Sequence, residues 1–170
     1  MPLHAAIRSV LAACLVALLA GCGFHLRNAQ SFAFETVAVT PERGAGVAGE
    51  LARYFGERLR PVAPAAGQVP VQAIVDILEE VREQSVAGVN ASGQVRELQL
   101  RLRAKFRVRT PQGRELIGPT SIAQQRELSF NETVVLAKDA EQAALYQDMQ
   151  ADIVQQILRR VATIKRLDGQ

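Results

Sequence analysis

The run Leu98-Gln99-Leu100-Arg101-Leu102-Arg103-Ala104-Lys105-Phe106-Arg107-Val108-Arg109 alternates without a break. Leu98, Leu100, Leu102, Ala104, Phe106 and Val108 point one way, and Gln99, Arg101, Arg103, Lys105, Arg107 and Arg109 the other. Side chains alternate across a strand with a period of two, so the pattern predicts a long strand over 96–110 with one face in an apolar core and the other charged. Just upstream, Gly88-Val89-Asn90-Ala91-Ser92-Gly93 holds residues that take positive φ or bond their own backbone, as a hairpin tip requires. Before the tip, Val71, Ala73, Val75 and Ile77 alternate with Gln72, Ile74, Asp76 and Leu78, which predicts an antiparallel partner strand reaching about residue 85. Downstream, Pro111-Gln112-Gly113 turns the chain into the last strand of the meander, split by Gly118-Pro119 into 114–117 and 120–130. Pro119 has no N–H to give to a ladder, which calls for a bulge or a sheet edge there.

Outward from this meander, the β-branched run Thr36-Val37-Ala38-Val39-Thr40, ended by Pro41, predicts a first strand with Val37 and Val39 inside. Ala48, Leu51, Ala52, Phe55 and Leu59 recur at three- and four-residue steps, predicting a helix over 47–60 that Pro61 stops. The segment 61–70, with three prolines and Gly67, connects it to the second strand. Near the C-terminus, Leu145, Met149, Ile153, Ile157, Val161 and Ile164 form one apolar stripe, widened by Val154 and Leu158. Asp139 followed by Gln142 reads as a variant capping box that starts this second helix. Residues 165–170 form a polar tail expected to fray. The expected fold class is α+β: a two-layer sandwich of a four-stranded mixed β-sheet with two α-helices on one face, in the order β-α-β-β-β-α. A helix between the first two strands implies a parallel, right-handed crossover, and the hairpins imply antiparallel pairing elsewhere.

The N-terminus has a different character. Arg8 followed by the apolar run 10–19 reads as a secretory signal peptide, too short to span a bilayer as a helix, which takes about 20 residues. Leu19-Ala20-Gly21-Cys22 at its end resembles the lipobox of bacterial lipoproteins, in which the Cys thiol is diacylated before cleavage makes that Cys the new N-terminus. The expected organisation is a signal peptide over 1–21 and a single domain over 22–170, with 22–34 as anchor and lead-in. Acyl chains contribute about 0.8 kcal/mol per buried CH₂, so S-diacylglycerol plus an N-acyl chain on Cys22 hold firmly where one chain is marginal. Gly23 in place of Asp after the Cys points to the outer membrane, by analogy with enterobacterial sorting.

Of 170 residues, 20 are basic and 17 acidic. Removing 1–21, which holds Arg8 and no acid, leaves 19 basic and 17 acidic residues over 149, a near balance that says little about partners. Cys14 leaves with the signal peptide and Cys22 is taken by lipid, so no thiols remain to pair and stability must come from a packed core. Asn90-Ala91-Ser92 and Asn131-Glu132-Thr133 read as turn chemistry in a bacterial lipoprotein.

The column Arg101, Arg103, Lys105, Arg107 and Arg109 places cations on one face at about 6.8 Å steps, which repel unless something sits across from them. Centring the hairpin tip on Ala91 and Ser92 sets Arg107 against Asp76 and Arg103 against Glu80, with Phe106 against Ile77 and Leu102 against Val81 inside. Arg101 and Lys105 are left unpaired. The column is then either a solvated, cross-paired face or a surface pressed against a partner or an anionic ligand, whose phosphates or carboxylates suit the arginine fork. Nucleic acid fits poorly with so few aromatics in an envelope lipoprotein. Nothing resembles an enzyme site: His25 is the one histidine of the mature chain, three residues from the anchor, and the adjacent Glu79 and Glu80 point to opposite faces. No catalytic residues, metal site or cofactor beyond the covalent lipid are expected. Lys138 lies just before the second helix, where the dipole disfavours a cation, so it is either a solvated loop lysine or a ligand contact.

Gly21-Cys22-Gly23-Phe24-His25-Leu26-Arg27, the order of elements, and Leu136-Ala137-Lys138-Asp139 with Glu141-Gln142 together resemble the LptE family of lipopolysaccharide-assembly lipoproteins over essentially the whole chain. The resemblance implies a four-stranded sheet with two helices, lodged as a plug inside the outer-membrane barrel protein LptD, facing the periplasm and the barrel lumen. It also implies help in assembling that barrel and binding of lipopolysaccharide during its insertion into the outer leaflet. Lys138 falls on the family's Leu-Ala-Lys-Asp segment and is the carried-over candidate for lipopolysaccharide phosphates. Family members can show a basic residue before Asn-Gly at the hairpin tip; this chain has Ala91-Ser92-Gly93, with Arg96 the nearest cation. The alternative is a free envelope lipoprotein that binds anionic lipid or peptide through its basic sheet face.

Overall fold

The computed structural model describes residues 30–129 and 135–167. The signal peptide, Cys22, Asn131-Glu132-Thr133 and the last three residues of the predicted tail lie outside them. The elements are β1 (Val37–Thr40), α1 (Gly46–Phe55) with a short 3₁₀ turn (Gly56–Arg58), β2 (Ala73–Val89), β3 (Val95–Arg109), β4 (Glu115–Ser129) and α2 (Val135–Val161). The sheet runs β1-β2-β3-β4, with β1 parallel to β2 and the other pairs antiparallel. The expected α+β fold class and element order hold.

One core lies between the sheet and the helices. Leu100, Leu102, Ala104, Phe106 and Val108 of β3 are fully buried in it, against Val47 and Leu51 of α1 and Met149, Ile153, Ile157, Leu158 and Val161 of α2. Each large apolar side chain in this layer contributes about 1.5–3 kcal/mol by leaving water. Leu167, in the tail, also packs against this core. A smaller cluster of Ala38, Val71 and Ile74, with Val62 packed on it, uses the connecting segment after α1 to cover the opposite side of the sheet near β1.

Four boundaries differ from expectation, the first being β2, which runs on to Val89 past the expected end near residue 85. α1 ends at Gly56, whose φ of 49° takes the chain out of the helix, so the apolar spacing that reaches Leu59 overshoots and Pro61 is not the stop. α2 begins at Val135, so Asp139 lies in its second turn and is not an N-cap, and Lys138 is inside the helix. β4 is one strand across Gly118-Pro119: Phe106 pairs with Thr120 and Val108 with Ile117, so an extra residue bulges out there on an edge strand.

The most consequential difference is in β2. Ile77 pairs with Phe106, but the next partners are Glu79 and Lys105, with Leu78 extruded as a β-bulge. One extra residue reverses the parity of everything after it. Glu80, predicted to face Arg103 outside, faces inward opposite Ala104, and Leu102 pairs with Arg82, not Val81. Inside, Glu80 meets the start of α1, which has Ala45 at its N-cap, no side-chain cap and no acid in its first turn. The Val47 N–H donates to Glu80 Oε2 at 2.8 Å, so a strand residue caps the helix and meets its positive dipole end. Gly46 allows the approach: its φ is 60°, and a Cβ there would run into the Glu80 carboxylate. Glu80→Ala is expected to cost about 1–2 kcal/mol in chemical denaturation, the usual loss on removing a cap; a change below a few tenths would disprove the capping role.

Candidate functional site

With both helices on one side, the far face of β2, β3 and β4 has no covering layer among the described residues beyond the small cluster near β1. All five cations of the β3 column lie on it. Asp76 anchors its covered end: Arg107 Nε donates to Asp76 Oδ2 at 2.8 Å, Arg109 Nε to the same oxygen at 2.7 Å, and Thr40 Oγ1 to Oδ1 at 2.7 Å. The Asp76 side chain is only 7% exposed. Burial by itself pushes its carboxyl up, but donation from Arg109, Arg107 and Thr40 outweighs this and holds it below the usual carboxylate value.

Further along, the bulge rearranges the ladder. Arg103 pairs with Glu79 at 3.3 Å, not with Glu80, and Arg101, expected to be unpaired, lies 3.9 Å from Glu83. Glu79 also stands directly across from Lys105, whose ammonium makes no ion pair among the described residues. Asp76, Glu79 and Glu83 thus pair with four of the five cations, and three carboxylates against five cations leave these residues with a net charge of +2. The outward roles of Glu79 and Glu83 escape a strict alternation, yet a signal is present in Ile77-Leu78-Glu79-Glu80, where two apolar residues and then two acids follow each other and break the period.

The other named residues lie toward the hairpin-tip end. Asn90 builds the tip, its Oδ1 accepting from Ser92 N, Ser92 Oγ and Gln94 N at 2.8–3.1 Å, which agrees with the predicted turn. Arg96 is exposed beside it and donates to Gln94 Oε1 at 3.3 Å. Lys138 Nζ lies 2.7 Å from Glu141 Oε2, one turn along α2. Among the described residues no contact joins Arg96, Lys138 and the β3 column, so they are separate features.

A further group was not anticipated. On the inner side, Arg82 lies over the Tyr146 ring at 5.3 Å, and the Tyr146 hydroxyl donates to the Glu83 carbonyl at 2.8 Å. Burial, with the Glu83 charge in support and Arg82 opposing, holds the Tyr146 proton above its usual range, so the hydroxyl remains a donor. Gln150 links the two helices to the strand, donating to Glu50 Oε2 at 2.7 Å and accepting from Arg82 at 3.4 Å. No cluster of three metal-ligating side chains occurs among the described residues, and none of their helices is long and apolar enough to cross a membrane.

Fold and site together define a class: a small two-layer α+β domain with one sheet face packed on helices and the other left bare, charged and internally paired. The chain belongs to the LptE lipopolysaccharide-assembly family, whose model matches residues 34–161. It is 27% identical over 169 residues to the LPS-assembly lipoprotein LptE of Photorhabdus laumondii, covering 96% of this chain and 90% of that one. A second relative of that name, from Pectobacterium atrosepticum, is 28% identical over 153 residues, covering 88% and 81%. Among solved structures, lipoprotein B from Nitrosomonas europaea superposes with a TM-score of 0.63 at 35% identity, over 82% of this chain and 90% of that chain. The rare lipoprotein B of Shewanella oneidensis shares the fold, with a TM-score of 0.58 at 21% identity over 75% and 92%. Family membership assigns the chain to lipopolysaccharide assembly in the cell envelope.

Proposed function

We propose that the protein is tethered to the outer membrane by lipid on Cys22, sits as a plug in the lumen of the barrel protein LptD, assists that barrel's assembly and binds lipopolysaccharide on its way to the outer leaflet. The observation that carries this reading is the bare sheet face. A soluble domain leaves such a face to water, whereas a plug presents it to a large barrel's polar interior, where charged and hydrogen-bonding groups are matched. Internal pairing of four of the five cations suits the lumen better than it suits an anionic lipid or peptide, which would have to displace Asp76, Glu79 and Glu83. The plug role is not catalytic.

Mild detergent extraction of membranes should bring down a large barrel protein with this chain; its absence would sink the plug reading. Arg101→Glu with Lys105→Glu reverses the charges the face holds least firmly. Loss of barrel association is the expected result, whereas loss of lipid binding with the barrel retained would favour a free lipoprotein. For the ligand, Lys138 is the leading contact, since it falls on the Leu136-Ala137-Lys138-Asp139 segment that the family resemblance carries over. Lys138→Ala should weaken lipopolysaccharide binding severalfold, and unchanged binding in a pull-down would remove this residue from the site.

A further inference from the structure

α1 meets β2 as far as Glu80, and α2 packs on β3 and β4 and reaches β2 through Tyr146 and Gln150 at Arg82 and Glu83, which among the described residues leaves a gap between β2 and the earlier turns of α2. The gap is a cleft of about 460 Å³, between Arg82 and Gln84 on the strand and Asp139, Gln142, Ala143 and Tyr146 on α2. The spacing makes it one surface: positions 82 and 84 share a strand face, and 139, 142, 143 and 146 share a helix face.

The amides of Gln84 and Gln142 and the Asp139 carboxylate make no side-chain hydrogen bond with a described residue. Arg82 is half exposed, and its polar contacts are long, 3.4 Å to Gln150 and 3.8 Å to Glu80, so most of its five N–H donors remain available. The cleft therefore offers a donor fork, two amides that both donate and accept, and one acceptor. Its described lining carries one charge of each sign. A phosphate drawn to Arg82 would also meet Asp139, and among the described lining residues an acyl chain would find Ala143 and the rim of a tyrosine that Arg82 covers. A neutral polyol meets neither obstacle, because every hydroxyl both donates and accepts. The volume lies within the range of small-ligand clefts.

We propose that this cleft binds a neutral, hydroxyl-rich glycan segment of one or two sugar rings, with Gln84, Gln142, Asp139 and Arg82 as its hydrogen-bonding groups. That the glycan arrives as part of lipopolysaccharide rests on the function proposed above; binding of a free glycan does not. The site is distinct from the Lys138 ammonium, which is engaged by Glu141.

The test is a titration of the full mature chain with a delipidated, dephosphorylated core oligosaccharide, following the ¹⁵N side-chain amide signals of Gln84 and Gln142. Saturable shifts in the millimolar range are expected, and the Gln84→Ala/Gln142→Ala pair should weaken binding about tenfold, the effect of losing two hydrogen-bonding amides. No shift at tens of millimolar, or a double variant that binds as its parent does, overturns the proposal. Intact lipopolysaccharide is titrated in parallel. Its binding without glycan binding rejects the cleft and leaves the proposed function standing, whereas glycan binding without lipopolysaccharide binding upholds the cleft and rejects that function.

Discussion

An Asp76→Ala chain will unfold at markedly lower denaturant than its parent, with a loss of about 2–3 kcal/mol. Removing one member of a fully buried ion pair costs roughly 3–5 kcal/mol, because the charge left behind is uncompensated. Here the stranded groups are Arg107 and Arg109, whose side chains are 37% and 23% exposed and can recover part of their hydration, so the lower figure is expected. The loss also carries a pH signature. The folded carboxyl titrates below its ordinary value, so its contribution is fully present above about pH 4, the unfolded value, and disappears as the pH falls through the folded one. Asp76→Asn should therefore be less stable than the parent at pH 7, and the gap should narrow as both are titrated below pH 4. Denaturation curves at pH 7 and pH 3 check this, and a gap independent of pH would mean that the carboxylate charge is not what holds Arg107, Arg109 and β1 together.

A Cys22→Ala chain, exported by a signal peptide that does not direct lipidation, will fold as the parent does and leave the membrane fraction almost completely. Among the described residues the buried core starts at Phe34, with Phe32 packed against it. Phe32 and Phe34 stack at 5.2 Å, and both meet Phe55 edge-on at 5.5 and 6.2 Å, so the lead-in is already clasped to α1 ten residues after the Cys. On the proposal that Cys22 carries acyl chains, these would contribute about 0.8 kcal/mol per buried CH₂ to membrane retention. Fractionation and thermal unfolding of the variant read the two properties separately. Retention in the membrane without the barrel present would reject the anchor, and a fall in melting temperature would show that the anchor and the core are not separable.

How much of this was legible beforehand can be followed through particular residues. The β3 alternation declares its strand, its buried face and its charged face, since a period of two over such a length has no other use in a folded chain. The α2 stripe declares a helix and the side it buries. The Asp76–Arg107 pair and the tip at Asn90 also follow from register. Prediction stops at Leu78: continued alternation places Glu80 outside, and only the doubled apolar and acidic pairs at 77–80 hint otherwise. From that one residue come the corrected partners of Arg101 and Arg103, the tertiary cap on α1, and the turn of Arg82 and Gln84 toward the helix side. The extent of α2 was misjudged for a related reason, because Asp139 has the chemistry of a cap while the backbone continues helical ahead of it from Val135.

The sequence by itself determined the α+β class, the order of elements, the faces that pack, the family, and the lipobox from which the anchor is proposed. These depend on periodicity and on short contiguous motifs, both local properties of the chain. Tertiary structure alone decided the strand order, the extrusion of Leu78, the pairing of Arg103 with Glu79 and of Arg101 with Glu83, and the cleft between β2 and α2. Those depend on which distant segments meet. A bulge trades one ladder position for a cap on another element and a better fit under two helices, a balance between groups more than thirty residues apart that no local pattern encodes.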